Sequence, residues 1–122
     1  MIFKNLLRIL ESYRLSLIKI FFFELIYLIK GYRGNKFTFS KNNIMADNIP
    51  CPYYFLHKIE KKIKDRDFKI FLDMGCGSGR VIDFFSRNLL NKSFIGIEYF
   101  EEQFLHCKKK IEIHKNIKLF QA

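Results

Sequence analysis

The chain has 122 residues, 49% of them apolar, and its 22 basic against 12 acidic side chains give a formal net charge of +10. This length and apolar content fit one small globular domain and exclude a disordered tail. The charge points to an anionic partner such as nucleic acid or a membrane surface, but lysine is abundant along the whole chain, as in AT-rich coding, which weakens that argument.

Residues 1–31 predict an N-terminal helix that is amphipathic at first and strongly apolar over Leu15 to Ile29. We expect it to end at Lys30-Gly31, where a cation precedes a C-cap glycine. Lys19 and Glu24 interrupt the apolar stretch and argue against a membrane-spanning helix. Packing on the rest of the domain or on a second subunit is the favoured interpretation, and contact with a membrane surface remains an alternative.

Residues 32–52 are rich in Gly, Asn, Ser and Pro and predict a loop or linker. Tyr53 to Lys64 then forms a short amphipathic helix with apolar residues on one face and lysines on the other. We expect these lysines to be solvated, with a phosphate-binding stripe as the rarer alternative. Tyr53 and Tyr54 are expected in the core, although a lid over a ligand is a second option.

From Asp67 onward short apolar runs alternate with amphipathic segments. They predict buried strands at Phe68 to Met74 and Ser93 to Glu98, and a third strand over Asn116 to Gln121. The intervening helices are predicted at Arg80 to Leu90 and Glu101 to His114. Strands alternating with helices over short connections predict an α/β fold with a parallel sheet. In the last helix, the residues expected to face inward are Phe104, Leu105 and Ile111, and those expected in solvent are Lys108, Lys109 and Lys110.

Between the first strand and its helix lie Gly75, Gly77 and Gly79, a glycine-rich turn. Glycines allow a sharp turn and a close approach of ligand to backbone, and the helix N-terminus beyond offers unpaired N–H groups. The spacing is not that of a dinucleotide fingerprint, because Arg80 stands where the third glycine would be, and no P-loop sequence is present. Arg80 itself is expected to cap the helix start or lie in solvent, with contact to a substrate carboxylate as the lesser alternative.

Two acids accompany the turn, one at the end of each of the first two strands. Asp73 would repel a pyrophosphate but suits a cationic or amino-bearing ligand. Glu98 is placed like the ribose-binding acid of nucleotide folds, where a carboxylate accepts hydroxyl protons.

This combination resembles the class I S-adenosylmethionine-dependent methyltransferases, through Asp73-Met74-Gly75-Cys76-Gly77-Ser78-Gly79 and Gly96-Ile97-Glu98. The resemblance covers roughly residues 53–122. It implies a partial, Rossmann-like domain of about three parallel strands that binds S-adenosyl-L-methionine, preceded by the helical extension 1–31. The cofactor-binding residues that it implies are Asp73, Gly75, Cys76, Gly77, Gly79, Glu98 and Tyr99.

The resemblance also implies a role for each group in this set. Asp73 would act on the methionine amino group, and the three glycines would pass close to the cofactor. Glu98 would bind the ribose hydroxyls, and Tyr99 or Phe100 would flank the adenine. No catalytic residue is predicted within the chain, and the methyl acceptor is not identified.

Cysteine and histidine usage predicts no metal site and no disulfide framework. Cys51, Cys76 and Cys107 are widely spaced without a CxxC, and the three histidines form no ligand pattern. Cys76 is not expected to be a catalytic thiol. The expected location is cytoplasmic, with peripheral membrane contact as an option.

The predicted strands are fewer than the seven of a class I methyltransferase fold. We therefore expect an N-terminal fragment or truncated product, with one edge of the first strand open and no turnover by the chain alone. The alternative function is a basic α/β module that binds nucleic acid or an anionic membrane surface without catalysis. Its binding would depend steeply on salt and survive Asp73→Ala and Glu98→Ala. A third hypothesis is a degenerate fragment that associates through its N-terminal helix.

Overall fold

The computed structural model describes the backbone of residues 2–32, 50–111 and 114–122, and their side chains from residue 16 onward. Within these residues four helices and three strands follow in the order α1 (Ile2–Ile29), α2 (Tyr53–Ile63), β1 (Ile70–Met74), α3 (Arg80–Asn88), β2 (Ser93–Glu98), α4 (Glu101–Ile111) and β3 (Ile117–Gln121). Each predicted element is present, with ends shifted by a few residues. Most of the loop predicted at residues 32–52 lies outside the described residues.

The three strands form one parallel sheet in the order β1-β2-β3, as predicted. Asp73 pairs with Gly96, and Met74 pairs with Ile97. Because parallel strands end at the same edge of a sheet, this register places Asp73 and Glu98 together at the carboxyl edge.

Helix α3 covers one face of the sheet and forms the core there. The ring of Phe85 lies 5.1 Å from that of Phe71, and Phe94 beside them is fully buried. Ile82 lies so close to β2 that a Cβ on Gly96 would come within 2.5 Å of its Cδ1 atom. Gly96 is therefore needed for the close packing of α3 on the sheet.

The other face of β1 is exposed, so the prediction of a fully buried strand was wrong. Ile70, Leu72 and Met74 point to this face and are 52% to 74% exposed. An apolar run predicts a strand covered on both faces. Within the described residues the helices that contact the sheet, α3 and α4, cover the face of Phe71 and Phe94.

Helix α4 buries Ile111 as predicted, but its other buried residues differ from the predicted set. Its buried side chains follow a strict four-residue spacing, at Gln103, Cys107 and Ile111, while Leu105 is exposed. His114 was predicted within this helix but lies outside it, with its Nε2 atom 3.1 Å from Oδ1 of the buried Asp83.

The lysine run of α4 is solvated only in part. Lys108 and Lys109 are exposed as predicted, but the Nζ atom of Lys110 is buried without a hydrogen-bond partner among the described residues. Burial lowers the pKa of Lys110.

Helix α1 ends as its sequence predicts. Gly31 adopts a left-handed conformation with φ of +79° and donates to the carbonyl of Leu28, while Tyr32 donates to the carbonyl of Tyr27. This is a Schellman motif, and the rings of Tyr27 and Tyr32, 5.1 Å apart, supply its apolar contact.

Tyr27 attaches α1 to the rest of the domain. Its ring stacks on Tyr53 of α2 at 4.7 Å and meets Phe84 of α3 edge-on at 5.3 Å. Tyr53 is fully buried, as expected for a core residue. Among the described residues, no helix has the length and apolarity needed to cross a bilayer.

Candidate functional site

The glycine loop, residues 75–79, connects β1 to α3 at the carboxyl edge of the sheet. Gly75, Gly77 and Gly79 have φ angles of +77°, +52° and +83°, in the left-handed region that favours glycine. The N–H groups of Gly75 and Cys76 both donate to the carbonyl of Ile97, at 2.8 and 3.0 Å. The predicted sharp turn is therefore present, and β2 holds it in place.

Gly79 has a packing role that the sequence did not reveal. It precedes the first residue of α3, and a Cβ on it would lie 2.6 Å from the Sγ atom of Cys107 and 2.5 Å from Cδ1 of Ile111. In contrast, a Cβ on Gly75 would meet no atom within 4 Å. Gly79 therefore lets the loop approach α4, whereas Gly75 leaves open space next to the backbone.

Asp73 faces a cavity of about 160 Å³ that the loop forms with the segment preceding α2. The residues that line it are Pro50, Cys51, Asp73, Gly75, Cys76, Ser78, Arg80 and Val81. The Oδ2 atom of Asp73 is buried and receives no hydrogen bond from the described residues. Burial, and then the charge of Glu98, raise the pKa of Asp73. A ligand that brings a cationic donor here would relieve both effects.

Glu98 lies on the other side of the loop and binds its backbone. Its Oε2 atom accepts the N–H of Gly77 at 2.7 Å, and its Oε1 atom accepts the N–H of Phe100 at 3.0 Å. The side chain is only 6% exposed. Each carboxylate oxygen keeps a second lone pair, so Glu98 can order the loop and still accept a hydroxyl proton.

Tyr99 follows Glu98 and carries an accessible ring. The side chain is 73% exposed, and its ring meets that of the half-buried Phe100 edge-on at 5.1 Å. An aromatic face next to the end of β2 can stack on a planar group.

Arg80 is buried, so the prediction that it caps the helix start or lies in solvent was wrong. Its Nη1 atom donates to Oε1 of Glu24 at 3.0 Å and to the carbonyl of Cys51 at 3.2 Å. Its guanidinium lies 4.4 Å from the centre of the Tyr53 ring. These partners are distant in sequence, which is why local pattern gave no indication of them.

Glu24 joins α1 to two other helices at this point. Besides Arg80, its Oε1 atom accepts the N–H of Tyr53 at 2.8 Å and so caps α2, whose own N-cap residue is Pro52. Sequence analysis missed this role. One signal was available, because an acid inside an apolar helix generally has a partner when the helix packs.

Cys76 is held as a thiol by its surroundings. The side chain is 7% exposed, and hydrogen bonding with the Cys107 thiol, together with burial, raises the pKa of Cys76 well above its usual range. Cys76 thus packs the loop against Cys107 of α4. Among the described residues no group of three or more His, Cys, Asp or Glu is arranged to hold a metal ion.

The predicted site residues all lie on the glycine loop or at the adjoining strand ends. Asp73, Gly75 and Cys76 line the cavity, while Glu98 and Tyr99 lie beyond Gly77. Sequence analysis did not assign several further contributors to the cavity wall or its support, among them Glu24, Cys51 and Arg80.

No protein-family model matches the sequence, and no curated protein matches it either. Solved structures do match. A protein-L-isoaspartate O-methyltransferase superposes with a TM-score of 0.57 at 13% identity, over 70% of this chain and 27% of its own. An RNA methyltransferase from Salinibacter ruber in complex with S-adenosyl-L-homocysteine superposes with a TM-score of 0.53 at 17% identity. The match covers 61% of this chain and 50% of that protein.

A precorrin-6y C5,15-methyltransferase from Geobacter metallireducens gives a TM-score of 0.51 at 18% identity, over 70% of this chain and 43% of its own. The chain thus spans 27% to 50% of the length of these three proteins. It carries part of the class I methyltransferase fold, with three parallel strands, which confirms the predicted fold class.

Proposed function

We propose that this chain binds S-adenosyl-L-methionine at the glycine loop, as the cofactor-binding part of a methyltransferase. The observation that carries the proposal is the buried Oδ2 atom of Asp73, which lines a cavity and has no donor among the described residues. An ionised carboxylate left without a donor is costly, and a ligand ammonium group would satisfy it. The fold shared with methyltransferases supports the same ligand.

The other residues of the site supply the remaining contacts in this proposal. The cavity of about 160 Å³ is below the size of a full ligand pocket, so it fits the amino acid part of the cofactor alone. Glu98 would accept a hydrogen bond from a ribose hydroxyl in addition to those from its backbone donors. The exposed ring of Tyr99 would stack on the adenine.

The bound cofactor supplies an activated methyl group on its sulfonium, so the protein's task is mainly to bind and orient the reactants. Asp73 would fix the amino group, and the left-handed glycines bring the backbone close to the ligand without side chains between them. Because the chain spans only 27% to 50% of the matched proteins, we propose cofactor binding rather than turnover for these 122 residues.

Isothermal titration with S-adenosylhomocysteine tests the proposal. We expect Asp73→Asn to weaken binding by roughly 10- to 100-fold, the loss of a hydrogen bond to a charged group. Asp65→Asn removes the same charge from an exposed turn and should leave affinity unchanged. Equal affinity of the wild type and Asp73→Asn would refute the assignment of this site, and methyl transfer by the isolated chain would refute the restriction to binding.

A further inference from the structure

Helix α1 presents a second apolar face, opposite the stripe that packs on the domain. Its large side chains are 44% to 78% exposed and comprise Leu17, Ile18, Phe21, Phe22, Leu25, Leu28 and Ile29. At 100° per residue these seven positions span an arc of about 140°, and among residues 16–30, whose side chains the structure describes, no charged or polar residue lies within it. We refer to these residues as the α1 apolar face.

Such a face differs from the scattered apolar residues of an ordinary protein surface. Phe23 and Tyr27 already pack α1 against α2 and α3, so the described part of the helix from residue 16 onward is apolar on both sides. A helix of this kind is normally buried in a protein or in lipid, and a contiguous exposed apolar patch marks an interaction site.

The exposed charges over the described side chains 16–30 are of one sign. Lys19 and Lys30 are exposed, while Glu24 is engaged by Arg80. Lys58 of α2 lies 4.5 Å from the centre of the Tyr54 ring, which in turn contacts Phe23 of α1. The cationic border of α1 therefore continues directly onto α2.

Helix α2 extends this surface with the same chemistry. A groove of about 490 Å³ on its outer side is lined by Phe55, Ile59 and the lysines Lys58, Lys61 and Lys62. Residues 16–32 and 50–64 together contain six lysines and no arginine, against only two acids, Glu24 and Glu60. An apolar face bordered by ammonium groups is complementary to a surface that is apolar inside and anionic outside.

We propose that the α1 apolar face docks the chain on a lipid bilayer rich in anionic phospholipid. In this arrangement α1 lies in the plane of the interface, with its seven apolar side chains among the acyl chains and the lysines of α1 and α2 at the headgroups. A second copy of the chain fits the charges less well, because two chains of +10 would bring like-charged borders together. The proposal is independent of cofactor binding.

Flotation of the 122-residue chain with vesicles tests this docking. We expect binding to vesicles of phosphatidylcholine mixed with phosphatidylglycerol, little binding to phosphatidylcholine alone, and release from the mixed vesicles as salt is raised. The double variant Phe21→Gln/Phe22→Gln should lower the affinity for mixed vesicles at least about tenfold. Leu90→Gln replaces an equally exposed leucine in the turn after α3 and should bind as the wild type does.

Three results would overturn the proposal. They are absence of binding to mixed vesicles, equal binding to both kinds of vesicle, and a dimer in solution that the double variant dissociates, which would make a second copy the occupant. Circular dichroism verifies that the variants fold. If the double variant does not fold, two single variants at opposite ends of the same face replace it, Ile18→Gln and Ile29→Gln. The proposal then requires each of them to bind mixed vesicles more weakly than the wild type.

Discussion

Glu24 of α1 and Arg80 of α3 are separated by 56 residues in sequence, yet Oε1 of one lies 3.0 Å from Nη1 of the other. Arg80 is 4% exposed and Glu24 30%, so the pair is largely withdrawn from water. The contact joins the N-terminal helix to the wall of the candidate cofactor cavity, because Arg80 also lines that cavity. An extension that could have been peripheral is therefore part of the support of the site.

Loss of this ion pair should destabilise the whole chain. We expect Glu24→Ala to lower the free energy of unfolding by about 1 to 3 kcal/mol, because it removes a carboxylate that accepts hydrogen bonds from the buried Arg80 guanidinium and from the N–H of Tyr53. Urea unfolding measures the effect. In a double-mutant cycle with Arg80→Gln, a coupling energy of about 1 to 3 kcal/mol is expected, and a coupling near zero would contradict the structural role of the pair.

Gly79 and Gly75 offer a matched pair of substitutions in the glycine loop. Both have positive φ, but only Gly79 would place a Cβ against Cys107 and Ile111. We expect Gly75→Ala to cost about 1 to 2 kcal/mol from backbone strain alone, and Gly79→Ala to cost about 1 to 3 kcal/mol more from overpacking. Equal stabilities of the two variants in urea unfolding would show that close packing on α4 is not what Gly79 provides.

The raised pKa of Asp73 gives a pH dependence whose sign can be stated. Its usual value is 3.8, and in the folded chain burial and the charge of Glu98 raise it. The folded chain therefore holds the Asp73 proton more tightly than the unfolded chain does. As pH rises from about 3.8 through the higher pKa of the folded state, the contribution of Asp73 to the free energy of unfolding falls.

Asp73→Asn removes the cost of burying an ionised carboxylate and should make the unliganded chain more stable than the wild type at neutral pH. The advantage should shrink as pH falls toward 3.8, the usual pKa of the carboxyl. Urea unfolding across this pH range measures it, with the exposed Asp65→Asn as control. A variant less stable than the wild type at neutral pH would mean that Asp73 has an internal donor after all.

Thiol reactivity reports on the packing between the loop and α4. Cys76 and Cys107 are both buried, and the pKa of Cys76 is raised by its hydrogen bond with Cys107 and by burial. We expect these two thiols to react with a disulfide reagent roughly 100-fold more slowly in the folded chain than in urea. Cys51 is half-buried and should react first, and fast modification of Cys76 would contradict the packing described.

Much of the fold follows from local pattern in the sequence. Apolar spacing and the turn residues predicted the four helices and three strands of the described residues. The Lys30-Gly31 end of α1 was predicted because a left-handed cap depends on the glycine alone. The glycine loop between Asp73 and Arg80 was equally evident, since a strand, a run of glycines and a helix are consecutive in sequence. The position of Asp73 and Glu98 at the same edge of the sheet then followed from parallel topology.

The features that the sequence did not predict depend on contacts between distant segments of the chain. Apolar composition cannot tell which side of a strand or helix is covered, so the exposed face of β1 and the exposed Leu105 of α4 were both predicted as buried. Likewise, the burial of Arg80 and the packing role of Gly79 arise because α1 and α4 reach the loop from elsewhere in the chain. Local sequence thus determined the elements and the loop, whereas tertiary packing decided which charges are buried and which apolar faces remain exposed.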